Sequence, residues 1–389
     1  MNEWQVQKLG DLCSRITVGH VGSMASRYVV SGIPFLRSQN VKPGRIDVSS
    51  LKYIDQEFHD QLGKSQLNAG DLVIVRTGEP GVAAVIPEGL GSLNCSDLVI
   101  AKPKSGTNVQ FLCYAINETS AEFVRAHTVG AVQQHFNVSA AKELTLYLPP
   151  AAEQQAIVGL LGALDGKIAA NERIAATVED LLRSSYQSLS GNSGTCRVDQ
   201  IGSVVRNSVR PTELSGDEPY VGLEHMPRRS VWLSVWGASS VVTSAKNTFR
   251  RGDVLFGKLR PYFHKVGLAQ SDGICSTDII VVRAVEECYL PWLLMVLSSD
   301  EVVAHATARG DGTRMPRAKW KDLAEYEAPW PGRDEAIRFA ATAIPLIERA
   351  EHGAEENRTL TTLRDTLLPQ LMSGKLRVRD AERIVEGAV

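Results

Sequence analysis

Apolar residues fall along this chain in two alternating regimes. Short aliphatic runs at residues 71–75, 82–86 and 98–101 sit between glycine and proline turns and predict strands. Residues 111–116 and 121–126 carry helical spacing and predict a helix pair. Pro149 and Pro150 close this mixed region, so residues 1–150 read as one domain. The period then changes. Between Glu153 and Ser190 there is no proline, and Leu161, Leu164, Ile168, Asn171, Ala175, Val178 and Leu182 recur at alternating threes and fours. That is the a/d seam of a coiled coil, with one polar asparagine in it. As a helix, the stretch from Ile157 to Leu182 is roughly 40 Å long at 1.5 Å per residue. Gly159, Gly162 and Gly166 weaken it by up to ~1 kcal/mol each and point to close approach of a partner backbone.

The alternation then repeats. A Ser/Gly-rich linker at residues 190–195 leads into a second mixed region, which with the linker spans residues 191–331. A second helical stretch fills residues 332–376, with a thinner seam of Ile337, Ile344, Ile347, Leu360, Leu363 and Leu367, and Asn357 in place of Asn171. Pro345 predicts a kink, and Gly374 a left-handed helix stop. The charged tail, residues 377–389, is expected to fray.

The repetition is also literal. Ile33-Pro34-Phe35-Leu36 returns as Glu218-Pro219-Tyr220-Val221, and Gly70-Asp71-Leu72-Val73-Ile74-Val75-Arg76 as Gly252-Asp253-Val254-Leu255-Phe256-Gly257-Lys258. Cys95-Ser96-Asp97-Leu98 returns as Cys275-Ser276-Thr277-Asp278-Ile279, and Lys142-Glu143-Leu144 as Lys321-Asp322-Leu323. A unit this long, used twice, means two similar domains rather than a solenoid. The expected fold class is α/β (α+β): two similar globular domains joined by two long antiparallel coiled-coil helices, a pseudo-twofold internal repeat. Packing of each helix on its own domain alone is the competing arrangement.

Composition narrows the function. The net charge of −2 argues against a general DNA coater but leaves room for a reader with local positive charge. The six cysteines have no paired spacing, so neither a zinc site nor a disulfide framework is expected. No signal peptide or membrane-length apolar run is read, and a cytoplasmic location is expected. Phosphate-loop, dinucleotide, zincin and nucleophile-elbow motifs are missing, as is the Asn/Asp-Pro-Pro-aromatic tetrapeptide of amino-methyltransferases. Asp165-Gly166-Lys167 has the form of a nuclease D-x-K, but on the coiled-coil helix it reads as a solvated face.

Basic and amide residues gather instead where loops and strand ends are expected. The first half offers Arg37, Gln39, Asn40, Arg76, Thr77, Gln133, Gln134 and His135. The second offers His225, Arg228, Lys258, Arg260, Tyr262, Arg314 and Arg317. Arginine can grip guanine in a bidentate way, asparagine and glutamine can grip adenine, and the remaining cations suit phosphates. Each residue alone reads equally well as a solvated surface group. The positional signal is Arg76 and Lys258, which occupy one place in the repeat before the loops diverge.

In order and in duplication these segments resemble the specificity subunits of type I restriction-modification systems. The duplicated Pro-aromatic-aliphatic and Gly-Asp-aliphatic strands carry the resemblance. So do Gly312-Thr313-Arg314-Met315-Pro316-Arg317, the helix start at Pro150–Gln154, and the closing Leu371-Met372-Ser373-Gly374-Lys375-Leu376. The resemblance implies two target-recognition domains, each reading half of a split DNA sequence, and two helices that set the gap. It implies two methyltransferase subunits that bind S-adenosylmethionine and methylate adenine, with an ATP-driven restriction subunit where one exists. This chain would then bind no cofactor and carry no catalytic residue. The other readings are a protein–protein adaptor with a coiled-coil rod, and a self-contained methyltransferase or nuclease.

Overall fold

A computed structural model describes residues 4–127, 136–191, 193–312 and 315–388. It divides into two compact units, Met1–Asp165 with Thr362–Val389, and Gly166–Thr361.

The first unit is built on an antiparallel sheet in the order Cys13–Val18, Leu98–Pro103, Leu72–Val75, Ala83–Val85. Leu72 through Val75 and Leu98 through Ala101 are buried on both faces, which is why they read as unbroken apolar runs rather than alternations. A second sheet runs Lys52–Ile54, Ile33–Leu36, Leu93–Cys95, Gln66–Leu67, with its two middle strands parallel. Gln5–Lys8 and Thr145–Leu148 pair as an antiparallel ribbon. One helix, Val109–His127, replaces the expected helix pair.

The second unit repeats this wiring. Its first sheet runs Gly202–Val204, Ile279–Ala284, Val254–Gly257, Val266–Leu268. Its second sheet again has one parallel pair, Pro219–Val221 with Gly273–Cys275, and gains an edge strand, Ser208–Val209. Gly194–Arg197 and Glu327–Trp330 form the ribbon. Even the registers correspond: Leu36 opposes Cys95 as Val221 opposes Cys275, and Val75 opposes Leu98 as Gly257 opposes Ile279.

The repeated Gly-Asp has a local cause. Gly70 and Gly252 turn the chain at φ +85° and +86°, where a side chain would be strained. The aspartate that follows is buried and accepts from the turn: Asn68 N–H donates to Asp71 at 2.9 Å, and Arg250 N–H to Asp253 at 2.7 Å. A cation on the neighbouring strand neutralises each carboxylate, Lys102 for Asp71 at 2.7 Å, and Arg283 for Asp253 at 2.7 and 2.8 Å.

The two long helices are Ala151–Ser190 and Arg333–Met372. Buried positions on the first are Ile157, Leu161, Leu164, Asn171, Val178, Leu182 and Tyr186, with Ile168 and Ala175 partly covered. In the second unit, Asn171 Nδ2 donates to Glu356 at 2.7 Å and Asn357 at 3.0 Å. Leu182 and Tyr186 share a core with Phe339, Ala343 and Ile347, so the helix segments there run antiparallel. The same core contains Trp292 and the sheet residues Val254 and Phe256. Pairing of the helices and packing on the domain therefore coexist. In the first unit, Asp165 receives Arg364 Nη1 at 3.0 Å and the Tyr114 hydroxyl at 2.5 Å.

Three expectations need correction here. The first concerns the second helix, which is continuous through Pro345. Its early seam is made of Ala336, Ala340, Ala343, Ile347 and Ala350, while Ile337 is 38% exposed. A Cβ added to Gly159, Gly162 or Gly166 would meet nothing within 4 Å; the close approach is at Gly353, where it would lie 3.3 Å from Asn171 Cβ and Cγ. The tail forms a helix, Val378–Glu386, with Ala381 buried. No helix among the described residues is long and apolar enough to cross a membrane.

Candidate nucleic-acid interface

In each unit the basic residue of the Gly-Asp strand stands where that strand ends. In the first unit, Arg76 Nη1 donates to Asp97 Oδ1 at 2.7 Å, and the Thr77 hydroxyl donates to Asp97 Oδ2 at 2.7 Å. Asp97 adopts a left-handed conformation, φ 53°, which brings its carboxylate under the loop. Both predicted readers are thus tied to one acid. Arg37 Nη2 is also engaged, donating to the Ser50 carbonyl at 2.6 Å. Gln39 is exposed.

Asn40 is fully buried and closed to a base. It accepts the Arg37 N–H at 3.1 Å and donates to the Asp47 carbonyl at 3.1 Å. His225 holds the equivalent place, its Nδ1 accepting the Gly222 N–H at 3.0 Å while its ring edges Tyr220. Each closes a single 3-10 turn after the repeated Pro-aromatic strand. An amide or imidazole in a loop looks like a base reader, yet here both serve as caps, because the turn's first N–H needs an acceptor.

The second unit leaves more cations free. Arg228 is exposed and lies 4.2 Å over the Phe263 ring, and Arg260 flanks the same ring at 6.0 Å. Neither guanidinium has an ion-pair partner among the described residues, nor does the ammonium of Lys258. Tyr262 is 50% exposed and packs edgewise on Phe263. Arg317 reaches Asp278, the counterpart of Asp97, at 3.4 Å. Burial and the nearby Arg228 both lower the pKa of Lys265, whose ammonium donates to the Leu223 carbonyl. The loop is held in strain: Arg229, Arg260 and His264 all have positive φ. His264 is buried, donates from Nε2 to the Ser298 carbonyl at 2.9 Å, and has its pKa lowered by that burial. The arrangement can offer planar cations and an aromatic face to a polyanion with stacked bases.

Gln133, Gln134, His135 and Arg314 lie outside the described residues. Asp165 is taken up by Tyr114 and Arg364, and Lys167 lies 3.3 Å from Glu356, so the D-x-K segment has structural partners. Among the described residues no group of three His, Cys, Asp or Glu side chains could hold a metal. Sequence reasoning missed Asp97, Asp278 and Phe263. The two aspartates were visible as a repeated position; Phe263 carried no signal apart from its neighbours.

The profile of the type I restriction modification DNA specificity domain matches residues 1–180. The type I restriction enzyme EcoDI specificity subunit of Escherichia coli is 35% identical over 112 residues, 28% of this chain and 24% of that protein. A putative type I restriction enzyme MjaX specificity subunit of Methanocaldococcus jannaschii is 23% identical over 175 residues, 43% of this chain and 40% of that one. The matched stretches thus span less than half the length of these relatives. In fold, the type I restriction-modification system S subunit from M. genitalium superposes with a TM-score of 0.59 at 15% identity, over 95% of this chain and 96% of that one. Residues 1–180 thus match the DNA specificity domain of type I restriction-modification systems, and nearly the whole chain shares the fold of a solved S subunit.

Proposed function

We propose that this chain is the sequence-specific DNA-binding subunit of a type I restriction-modification complex. Its two recognition domains, residues 1–150 and 191–331, read the two halves of a split target. The helical regions, residues 151–190 and 332–376, scaffold two methyltransferase subunits, joined by restriction subunits where present. The observation that carries this reading is one scaffold used twice, with the same sheet order and register, ending in loops of different sequence: Arg76-Thr77-Gly78-Glu79-Pro80 against Lys258-Leu259-Arg260-Pro261-Tyr262. Two readers of different half-sites need that combination. S-adenosylmethionine and ATP belong on this reading to the partner subunits, and this chain is noncatalytic.

Co-expression with the methyltransferase subunit of a type I system, followed by genome-wide mapping of N6-methyladenine, tests it. Methylation at one split motif, lost when this chain is deleted, is the expected result. A motif that persists without this chain, or no motif, would favour the adaptor reading.

A further inference from the structure

We infer that Arg27 is a base-contacting, specificity-determining residue of the first unit; the inference rests on the DNA-reading role proposed above. A bidentate grip on guanine needs an exposed guanidinium free of carboxylates. Among the first unit's nominated arginines, Arg76 is committed to Asp97 and Arg37 to the Ser50 carbonyl. Arg27 meets the requirement. It is exposed, has no hydrogen-bond or ion-pair partner for its side chain among the described residues, and lies 4.8 Å over the Phe58 ring.

Its position is fixed from both sides. The loop that carries it leaves the first sheet at the end of Cys13–Val18. There the His20 carbonyl accepts the Asp97 N–H at 3.0 Å, beside the acid that clamps Arg76 and Thr77. The His20 ring meets Phe58 edge-on at 5.7 Å, so the Asp97 clamp and the Phe58 platform are contiguous. Met24 anchors the loop in a small core with Phe35, Ile54 and Phe58, and Val29 N–H bonds the Tyr53 carbonyl at 3.0 Å. Arg27 thus stands on a short, pinned segment, its guanidinium oriented by a ring rather than neutralised by an acid. The second unit uses the same device on a different loop, with Arg228 and Arg260 flanking Phe263. A cation held flat on an aromatic face costs little ordering entropy when it meets a base edge.

The test is methylome mapping in cells carrying the full chain or Arg27→Ala with the partner subunits, followed by binding of each assembled complex to duplexes varied at single positions. The expected result is relaxation at one G·C pair in one half of the motif, with the other half unchanged. Discrimination at that pair should fall by on the order of 10- to 100-fold. Should methylation vanish in cells, the duplex series decides, and Arg27→Ala discriminating within about 3-fold of wild type at every position would overturn the assignment. So would an unchanged motif, or a uniform fall in affinity across all sequences, which marks a phosphate contact. A wild-type complex without any motif would overturn the DNA-reading role and this assignment with it.

Discussion

Replacing Asp253 by alanine tests whether the repeated Gly-Asp turn is a structural staple. Asp253 is 1% exposed; one oxygen takes the Arg250 N–H, and both take the Arg283 guanidinium. Removing it strips the turn N–H of its acceptor, at about 1–2 kcal/mol. The lost ion pair adds only about 1 kcal/mol, because the Arg283 side chain is 39% exposed and water can replace the carboxylate. The sum, about 2–3 kcal/mol, would lower a urea midpoint by about 1–1.5 M at a slope of about 2 kcal/mol/M. Asp253→Asn keeps an acceptor for the turn and should lose only about 0.5 M. The chain supplies a convenient probe: Trp232, Trp236, Trp292, Trp320 and Trp330 lie in the second unit, and only Trp4 in the first. Tryptophan fluorescence should therefore follow the Asp253 variants closely and Asp71→Ala much less. A shift below about 0.3 M for Asp253→Ala, or equal shifts for alanine and asparagine, would refute the staple.

Gly159→Ala should stabilise the isolated chain by up to ~1 kcal/mol, since its Cβ enters open space; Gly353→Val should destabilise it by pressing on Asn171, and urea melts compare the two. The Ser239 hydroxyl first, and then the backbone N–H groups of Ser215 and of Glu218 itself, hold the Glu218 carboxyl at about 2, below its usual value near 4.5. Its contribution to stability is therefore complete above that usual value and lost as pH falls toward 2, and Glu218→Gln should flatten this part of the stability–pH curve. Arg76→Ala should destabilise the first unit less than Asp97→Ala, which also strips Thr77 of its acceptor, and the double mutant should be little worse than Asp97→Ala, because the ion pair is shared; urea melts read all three. Lys258→Ala should change thermal stability by less than about 0.5 kcal/mol while weakening DNA binding, as measured by a salt-dependent titration.

The duplicated strands were legible because buried strands must be apolar and their turns need glycine. The first seam was legible for a similar reason: Leu161, Leu164, Val178 and Leu182 are large and regularly spaced. The second helix hid its seam in alanines, which read as helix formers rather than core, although Ala336, Ala340, Ala343 and Ala350 are all at most 2% exposed. The candidate site was less legible. Asn40 and His225 have the chemistry of readers, but in the folded chain each is occupied by its own turn. Arg76 and Arg27 are the same residue type in loops of similar polarity. What separates them is a carboxylate under one and a ring under the other, and that pairing is a tertiary fact.

The first unit takes its closing piece, Thr362–Val389, from the far end of the chain. Leu367, Leu371 and Ala381 are buried there, and Gly374 approaches Trp4 so closely that an added Cβ would sit 3.3 Å from its ring. During synthesis the amino-terminal residues leave the ribosome first but wait for the whole second unit before they can be completed, a delay on the order of 10–40 s at bacterial elongation rates. The second unit, contiguous in sequence, can finish folding first. A premature stop codon after Thr361 would therefore injure the beginning of the protein rather than its end. Pulse proteolysis of such a truncated chain should find residues before Asp165 cleaved and the second unit protected.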